Sequence, residues 1–455
     1  MDNKKATLEL GTRPVGKLLA QYAFPAIVAM TASSLYNMVD SIFIGQGVGA
    51  LAISGLAITF PFMNLSAAFG AAIGVGSATN ISVRLGQRDY RIAEEIFGNS
   101  VSLNIVIGIV FGILSLIFID PILLFFGASE QTLPYAREYM QVILIGNVFT
   151  HLYLGMNAIL RSASKPRHAM YATIFTVVLN TILDPVFIYV FDMGIRGAAI
   201  ATILSQVTAL LWQCKLFSNK NDILHFERGI YRLKSSHVRN IIGIGLSPFL
   251  MHACSCLVVI VFNKSLVHHG GDLSVGAYGI VNRISFLFFM VIFGLNQGMQ
   301  PIAGYNYGAQ RYDRVMQVLK YALIGATIVA TVGWVVSETL PYYCARLFTK
   351  DSALIAIAER GLRVANITLP IVGYQIVVTN FFQSIGKARV SIFLSLSRQL
   401  IFLLPMLLLL PSLFGLDGVW ASLPASDIIA AVVTFLIMRK YMKHFKAQQI
   451  VITNE

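Results

Sequence analysis

The chain has 455 residues, 56% of them hydrophobic and 12% charged, with a mean hydropathy of +0.72. Soluble domains carry about 25% charged residues, so this composition excludes a soluble enzyme, a disordered chain and a collagen-like one, and fits about a dozen membrane-spanning helices. The net charge of +13 implies no nucleic-acid partner, because the cytoplasmic loops of membrane proteins collect Lys and Arg.

The first seventeen residues are polar, and the apolar stretch after them is too long for a cleaved signal segment, so it reads as a retained first helix. Apolar runs then predict spans at about 17–44, 50–82, 93–119, 136–160, 167–191, 197–217, 239–263, 274–302, 315–340, 357–383, 389–411 and 418–438. The expected class is an all-α polytopic membrane protein with twelve transmembrane helices. An even number of spans puts both termini on one side. About 25 of the 34 basic residues fall on that side, Arg84, Arg88, Arg161, Lys165 and Arg439 among them. Both termini are therefore expected in the cytoplasm.

An internal repeat organises the chain. Gly76 matches Gly298, Gly86-Gln-Arg-Asp matches Gly308-Ala-Gln-Arg, and Lys165-Pro-Arg167 matches Lys387-Ala-Arg389, all at an offset of about 222 residues. Pro25 and Pro248 agree with it within a residue. Such a repeat holds six helices, so two pseudo-symmetric six-helix lobes of the same orientation are expected. Their bounds are 1–217 for the N-terminal lobe, 218–237 for a polar cytoplasmic linker, and 238–455 for the C-terminal lobe with a short tail. Pro25 and Pro248 lie inside the first helix of each lobe, where proline kinks a helix, and are the expected hinges.

Acids inside the membrane are costly and call for a reason. Asp40 in the first span and Asp184 in the fifth lie at similar depth toward the outer side. Asn37 stands three residues before Asp40 and Asn180 four before Asp184, each on the face of its acid; Thr202 reaches a comparable depth in the sixth span. Two carboxylates in one dry site cannot both stay ionised cheaply, so one has to hold a proton or bind a cation. Asp40, Asn37, Asn180, Asp184 and Thr202 form the candidate coupling site for H+ or Na+, with Na+ held by Asp40, Asn180, Asp184 and Thr202. Tyr36, Asn37, Met63 and Gln297 have the aromatic, polar and adaptable character of a substrate pocket. Asp427, the deep acid of the second lobe, reads as structural, and His151 and His252 as candidate proton relays.

Several stretches together resemble the multidrug and toxic compound extrusion (MATE) transporters. They are Val39-Asp40-Ser-Ile-Phe-Ile-Gly45, Asn180-Thr-Ile-Leu-Asp184-Pro185, Arg161-Ser-Ala-Ser-Lys-Pro, and Gln297-Gly-Met-Gln-Pro301-Ile-Ala-Gly-Tyr-Asn-Tyr-Gly308. The chain is most similar to the bacterial multidrug exporters among them. The resemblance implies antiport by alternating access in the bacterial inner membrane: inward H+ or Na+ drives export of bulky, often cationic organic compounds, with a role in antibiotic resistance. It implies that Asp40, Asn180, Asp184 and Thr202 match the family's N-lobe cation site, and that Pro25 kinks a moving helix. The seventh span has no acid and the tenth only Glu359 near its start, so coupling is expected in the N-terminal lobe alone. The partners implied are small organic molecules and the bilayer, with the protein acting as a monomer. The alternative with the same architecture is a flippase of a lipid-linked intermediate. No H-E-x-x-H, G-x-S-x-G or P-loop is present, so neither an enzyme nor an ATP-driven pump is expected, and no cofactor beyond the coupling ion.

Overall fold

The computed structural model describes residues 3–454; the side chain of Asn37 and those of a few neighbours and of the chain ends lie outside the described residues. Every regular element among the described residues is helical. The first half comprises α1 (Asn3–Thr12), α2 (Val15–Gly47), α3 (Ala50–Gly86), α4 (Tyr90–Ile117), α5 (Ile119–Phe125), α6 (Leu133–Ile145), α7 (Asn147–Ser162), α8 (Pro166–Pro185) and α9 (Gly194–Phe217). The second comprises α10 (Ser235–Gly270), α11 (Asp272–Gly308), α12 (Tyr312–Thr339), α13 (Pro341–Arg346) and α14 (Ser352–Asn366). It continues with α15 (Leu369–Ser384), α16 (Ala388–Leu396), α17 (Leu404–Phe414) and α18 (Leu416–Asn454). Wider π-helical turns extend α8 over Val186–Val190 and join α16 to α17 over Ser397–Leu403.

Among the described residues ten helices are long and apolar enough to cross a membrane, and counting each of two bent helix pairs as one span gives twelve. The expected single spans at 136–160 and 357–383 are these pairs: α6 and α7 meet at 58°, α14 and α15 at 52°. At the first break a Cβ on Gly146 would come within 2.5 Å of Ile203, so glycine there lets α9 close on the bend. Broken backbone at membrane depth has to be buried in protein, and an asparagine adjoins each break. Asn147 accepts from Ser66 on α3 (2.7 Å) and donates to Gly108 O on α4 (3.3 Å). Asn366 accepts from Ser285 on α11 (2.9 Å) and donates to Ser337 on α12 (2.8 Å).

The chain divides into two compact units, Met1–Thr12 with Val28–Phe249, and Arg13–Ile27 with Leu250–Glu455. One division falls between α1 and α2, and the other two inside α2 and α10, just after Pro25 and Pro248. A proline removes one ladder donor and its ring clashes with the carbonyl four residues back, so each helix is weakest where its two halves part company. Within unit 1 the early part of α10 lies against α3, where a Cβ on Gly245 would sit 2.3 Å from Ala72 O. Within unit 2 the early part of α2 lies against α11, where a Cβ on Gly298 would sit 2.5 Å from Ala23 N. Ala23 and Gly245, like Gly76 and Gly298, are 222 residues apart, so the repeat is expressed as the same helix crossing in each unit.

The polar stretch 218–237 belongs to unit 1 and is docked there. Ile223, Leu224 and Ile230 are buried, and Phe226 stacks on Phe97 of α4 (5.3 Å). Asn99, fully buried on α4, donates to Ile230 O (3.3 Å) and Arg232 O (3.2 Å) and accepts from Lys234 N (2.8 Å). One side chain thus holds three backbone groups of the segment, and removing it leaves buried partners at about 1–3 kcal/mol each. Asn99→Ala is expected to leave helix content unchanged but open the segment to trypsin at Arg228, Arg232 and Lys234, with cleavage at least about tenfold faster than in the wild type. Equal digestion rates would show that the strap is held elsewhere.

Candidate functional site

Two helices fix the carboxylates. Asn180 and Asp184 are one turn apart on α8, hence on one face. Pro185 withholds a ladder donor directly after Asp184, and the next five residues run in π geometry. On α9, a Cβ at Gly197 would lie 2.8 Å from the Phe187 carbonyl, so glycine brings α9 against that wide turn and sets Thr202 opposite Asn180. Asp40 comes from the later part of α2. Asp40, Asn180, Asp184 and Thr202 are all buried, and the Asp40 and Asp184 carboxyls touch.

Counting donors gives the site its character. The Thr202 hydroxyl donates to Ala198 O (3.1 Å), so its oxygen is an acceptor for everything else. It accepts from Tyr36 Oη (3.1 Å) and from Asn180 Nδ2 (3.3 Å). Asn180 Nδ2 also donates to Asp184 Oδ1 (3.3 Å), which fixes the amide with its oxygen turned away from both. Among the described residues, three buried oxygens have no hydrogen-bond donor: Asp40 Oδ1, Asn180 Oδ1 and Asp184 Oδ2. Buried acceptors are normally satisfied, and a pair of touching carboxylates without a basic partner needs a positive charge. A proton shared by the two acids, or a hard cation taking oxygen ligands, meets both requirements.

Shifting by 222 residues tests whether unit 2 holds a second such site. Asp40 maps to Phe262, Asp184 to Met406 and Thr202 to Pro424. The equivalence holds in the packing, since Ile44 and its counterpart Leu266 are both fully buried. Phe262 stacks on Tyr278 (4.4 Å) and lies 6.2 Å from Trp420, so an aromatic core fills the place of the acids.

The same shift points to a residue that sequence reasoning missed. Tyr139 of α6 is 1% exposed and reaches toward Thr202, within electrostatic range of Asp40, Tyr36 and Asp184. Its counterpart is Gly361, while the position in unit 1 that corresponds to Trp420 is an alanine, Ala198 or Ala199. The bulky ring has changed helices between the two halves, and a Cβ on Gly361 would come 2.9 Å from Trp420. That exchange is visible in the sequence once the repeat is aligned.

The other expected residues are distributed. Tyr36, expected to contact substrate, joins the carboxylate group through Thr202; the side chain of Asn37 lies outside the described residues. Met63 is half-buried in unit 1, its sulfur accepting from Thr59 (3.7 Å), and Gln297 is half-buried in unit 2 on α11. Pro25 and Pro248 adjoin the unit divisions. His151 is fully buried with Nε2 on Ser66 O (2.9 Å), a packing position between α3 and α7, and His252 is exposed.

A family model described as MatE matches the chain twice, over residues 25–186 and 248–408. The multidrug export protein MepA of Staphylococcus aureus (strain N315) is 28% identical over 425 residues, 93% of this chain and 94% of that protein. The protein of the same name from Staphylococcus haemolyticus (strain JCSC1435) is 27% identical, covering 92% of this chain and 93% of that one. Among solved structures, an outward-facing conformation of a multidrug resistance MATE family transporter of the MOP superfamily is similar with a TM-score of 0.91 at 26% identity, covering 96% of this chain and 98% of that one.

Proposed function

The chain belongs to the MatE family of transporters, and from that premise we propose that it exports organic compounds in exchange for inward movement of H+ or Na+ through the Asp40–Asp184 site. The observation that carries this reading is that, among the described residues, three buried oxygens around two touching acids have no donor and no basic group lies beside the acids to neutralise them. The relatives that match over most of their length are multidrug export proteins, which supports bulky organic cations as cargo. The working unit in this reading is a monomer in the bacterial inner membrane with both termini in the cytoplasm.

The fold gives such a site leverage. Helix α2 carries Asp40 in unit 1 and contributes residues 15–27, Pro25 among them, to unit 2. Neutralising Asp40 removes a repulsion inside unit 1, and the shift it permits is transmitted along one helix to a point that bends. One charge moving down 100 mV supplies about 2.3 kcal/mol, enough for roughly 50-fold accumulation of cargo.

Dye efflux from inverted vesicles tests the reading, with a sodium gradient and a pH gradient imposed separately. Efflux driven by one of them identifies the coupling ion; efflux driven by neither overturns antiport.

A further inference from the structure

Unit 2 has no counterpart of the acid pair, but it carries a charged group of the opposite sign at membrane depth. Arg398 is the eleventh residue of the span Ala388–Phe414, about 15 Å along it at 1.5 Å per residue, near the middle of a 30 Å core. It lies in the π turn Ser397–Leu403, a geometry that recurs at functional sites. Its Nε donates to Asp427 Oδ1 (2.8 Å). Thr368, at the break between α14 and α15, donates to Asp427 Oδ2 (3.1 Å), and Gln375 Nε2 donates to the Asp427 carbonyl (3.3 Å). Asp427 is enclosed, its side chain 6% exposed, whereas that of Arg398 is 29% exposed.

This arrangement uses one of the five N–H groups of the guanidinium. Among the described residues the two terminal nitrogens have no bonded partner, and they form the end-on edge of the fork that suits a carboxylate bidentately. Contact of this open edge with lipid chains at mid-membrane would cost at least about 2.5–3.5 kcal/mol, which favours a polar partner for it. A pair built only to staple helices would be closed on both partners; here the acid is sealed and the base is left open. Carried over by the repeat, the positions of Arg398 and Asp427 are Thr176 and Ser205 in unit 1, so this cationic edge belongs to one lobe only.

We propose that Arg398 is a specificity-determining residue that binds the carboxylate of acid-bearing organic substrates, zwitterions included, and that Asp427 is the positioning residue that holds its Nε and turns the terminal nitrogens outward. The proposal rests on the export reading for its cargo, and its test is a binding measurement that stands apart from transport. Purified full-length protein is titrated by fluorescence anisotropy with a xanthene dye as the free acid and as the methyl ester of the same carboxyl. Arg398→Gln is expected to weaken the acid about tenfold or more and the ester by less than about twofold. Arg398→Lys keeps the charge without the fork and is expected to fall between wild type and Gln for the acid. Asp427→Asn is expected to weaken the acid about threefold with the ester unchanged. If Arg398→Gln leaves both forms bound as in the wild type, or weakens both equally, the proposal fails; if that variant cannot be purified, the Lys variant decides by the same comparison. Wild-type vesicles that export neither dye while the binding difference persists would overturn the export reading and leave the Arg398 assignment standing.

Discussion

Asp40→Asn is expected to reduce gradient-driven efflux by at least about a hundredfold, to the background of empty vesicles, while substrate binding stays within about threefold of wild type. The substitution removes one of two touching charges and supplies an N–H that can donate to Asp184, so the site becomes permanently neutralised in the sense that matters for α2. A carrier that cannot cycle between loaded and unloaded states loses coupling altogether rather than in part. Asp184→Asn acts the same way. The effect is large because nothing substitutes for the pair: the matching positions of unit 2 are Phe262 and Met406, neither of them an acid, and Phe262 is packed in an aromatic core. Thr202→Val is the graded control. It takes away the acceptor for Tyr36 and Asn180 but keeps both acids, and a net hydrogen bond of about 1 kcal/mol corresponds to a five- to tenfold loss. Both are measured as initial efflux rates under an imposed ion gradient, and an Asp40→Asn variant that transports at the wild-type rate would remove the coupling role.

The acids are readable in the sequence for a physical reason: in helices this apolar a carboxylate is exceptional, and only function or a partner retains it. The amides one turn away are readable too, because helical periodicity alone places Asn180 with Asp184. Tyr139 is readable only through the aligned repeat, since by itself a tyrosine in an apolar helix is ordinary and its contact with the site depends on the bend between α6 and α7. The bends themselves are hidden: Gly146 resembles the many helix-packing glycines, and Ile367 and Thr368 announce nothing. The repeat gives two six-helix halves but not the way α2 and α10 are shared between units, because helix membership is decided by contacts at Gly245 and Gly298 and not by chain order. The polar character of 218–237 suggests an open connection, whereas its backbone is held by Asn99 and its Ile223, Leu224 and Ile230 are buried. Arg398 is conspicuous in an apolar span, but its pairing with Asp427 is set by a π turn that no local pattern signals.

Pro25→Ala is expected to slow transport ten- to hundredfold while leaving substrate and ion binding within about twofold, and to raise the melting temperature of the purified protein. Alanine restores the donor to the Gln21 carbonyl and removes the ring that crowds it, which favours the straight helix by about 3 kcal/mol. If bending of α2 belongs to the cycle, that bias depletes the bent state by up to a factor of roughly a hundred. Proline alone does not make a hinge, and the chain contains its own control. Pro61 lies inside α3, which stays within unit 1 along its whole length, and Pro301 inside α11, which stays within unit 2. Of the prolines inside helices, only Pro25 and Pro248 adjoin a division between units, so Pro248→Ala is expected to slow transport as well, and Pro61→Ala to change the rate by less than about threefold. Initial efflux rates with matched binding isotherms separate these cases. A Pro25→Ala variant that transports as fast as the Pro61→Ala control would show that α2 moves as one rigid helix, and the leverage of Asp40 would then have to act through α8 and α9 instead.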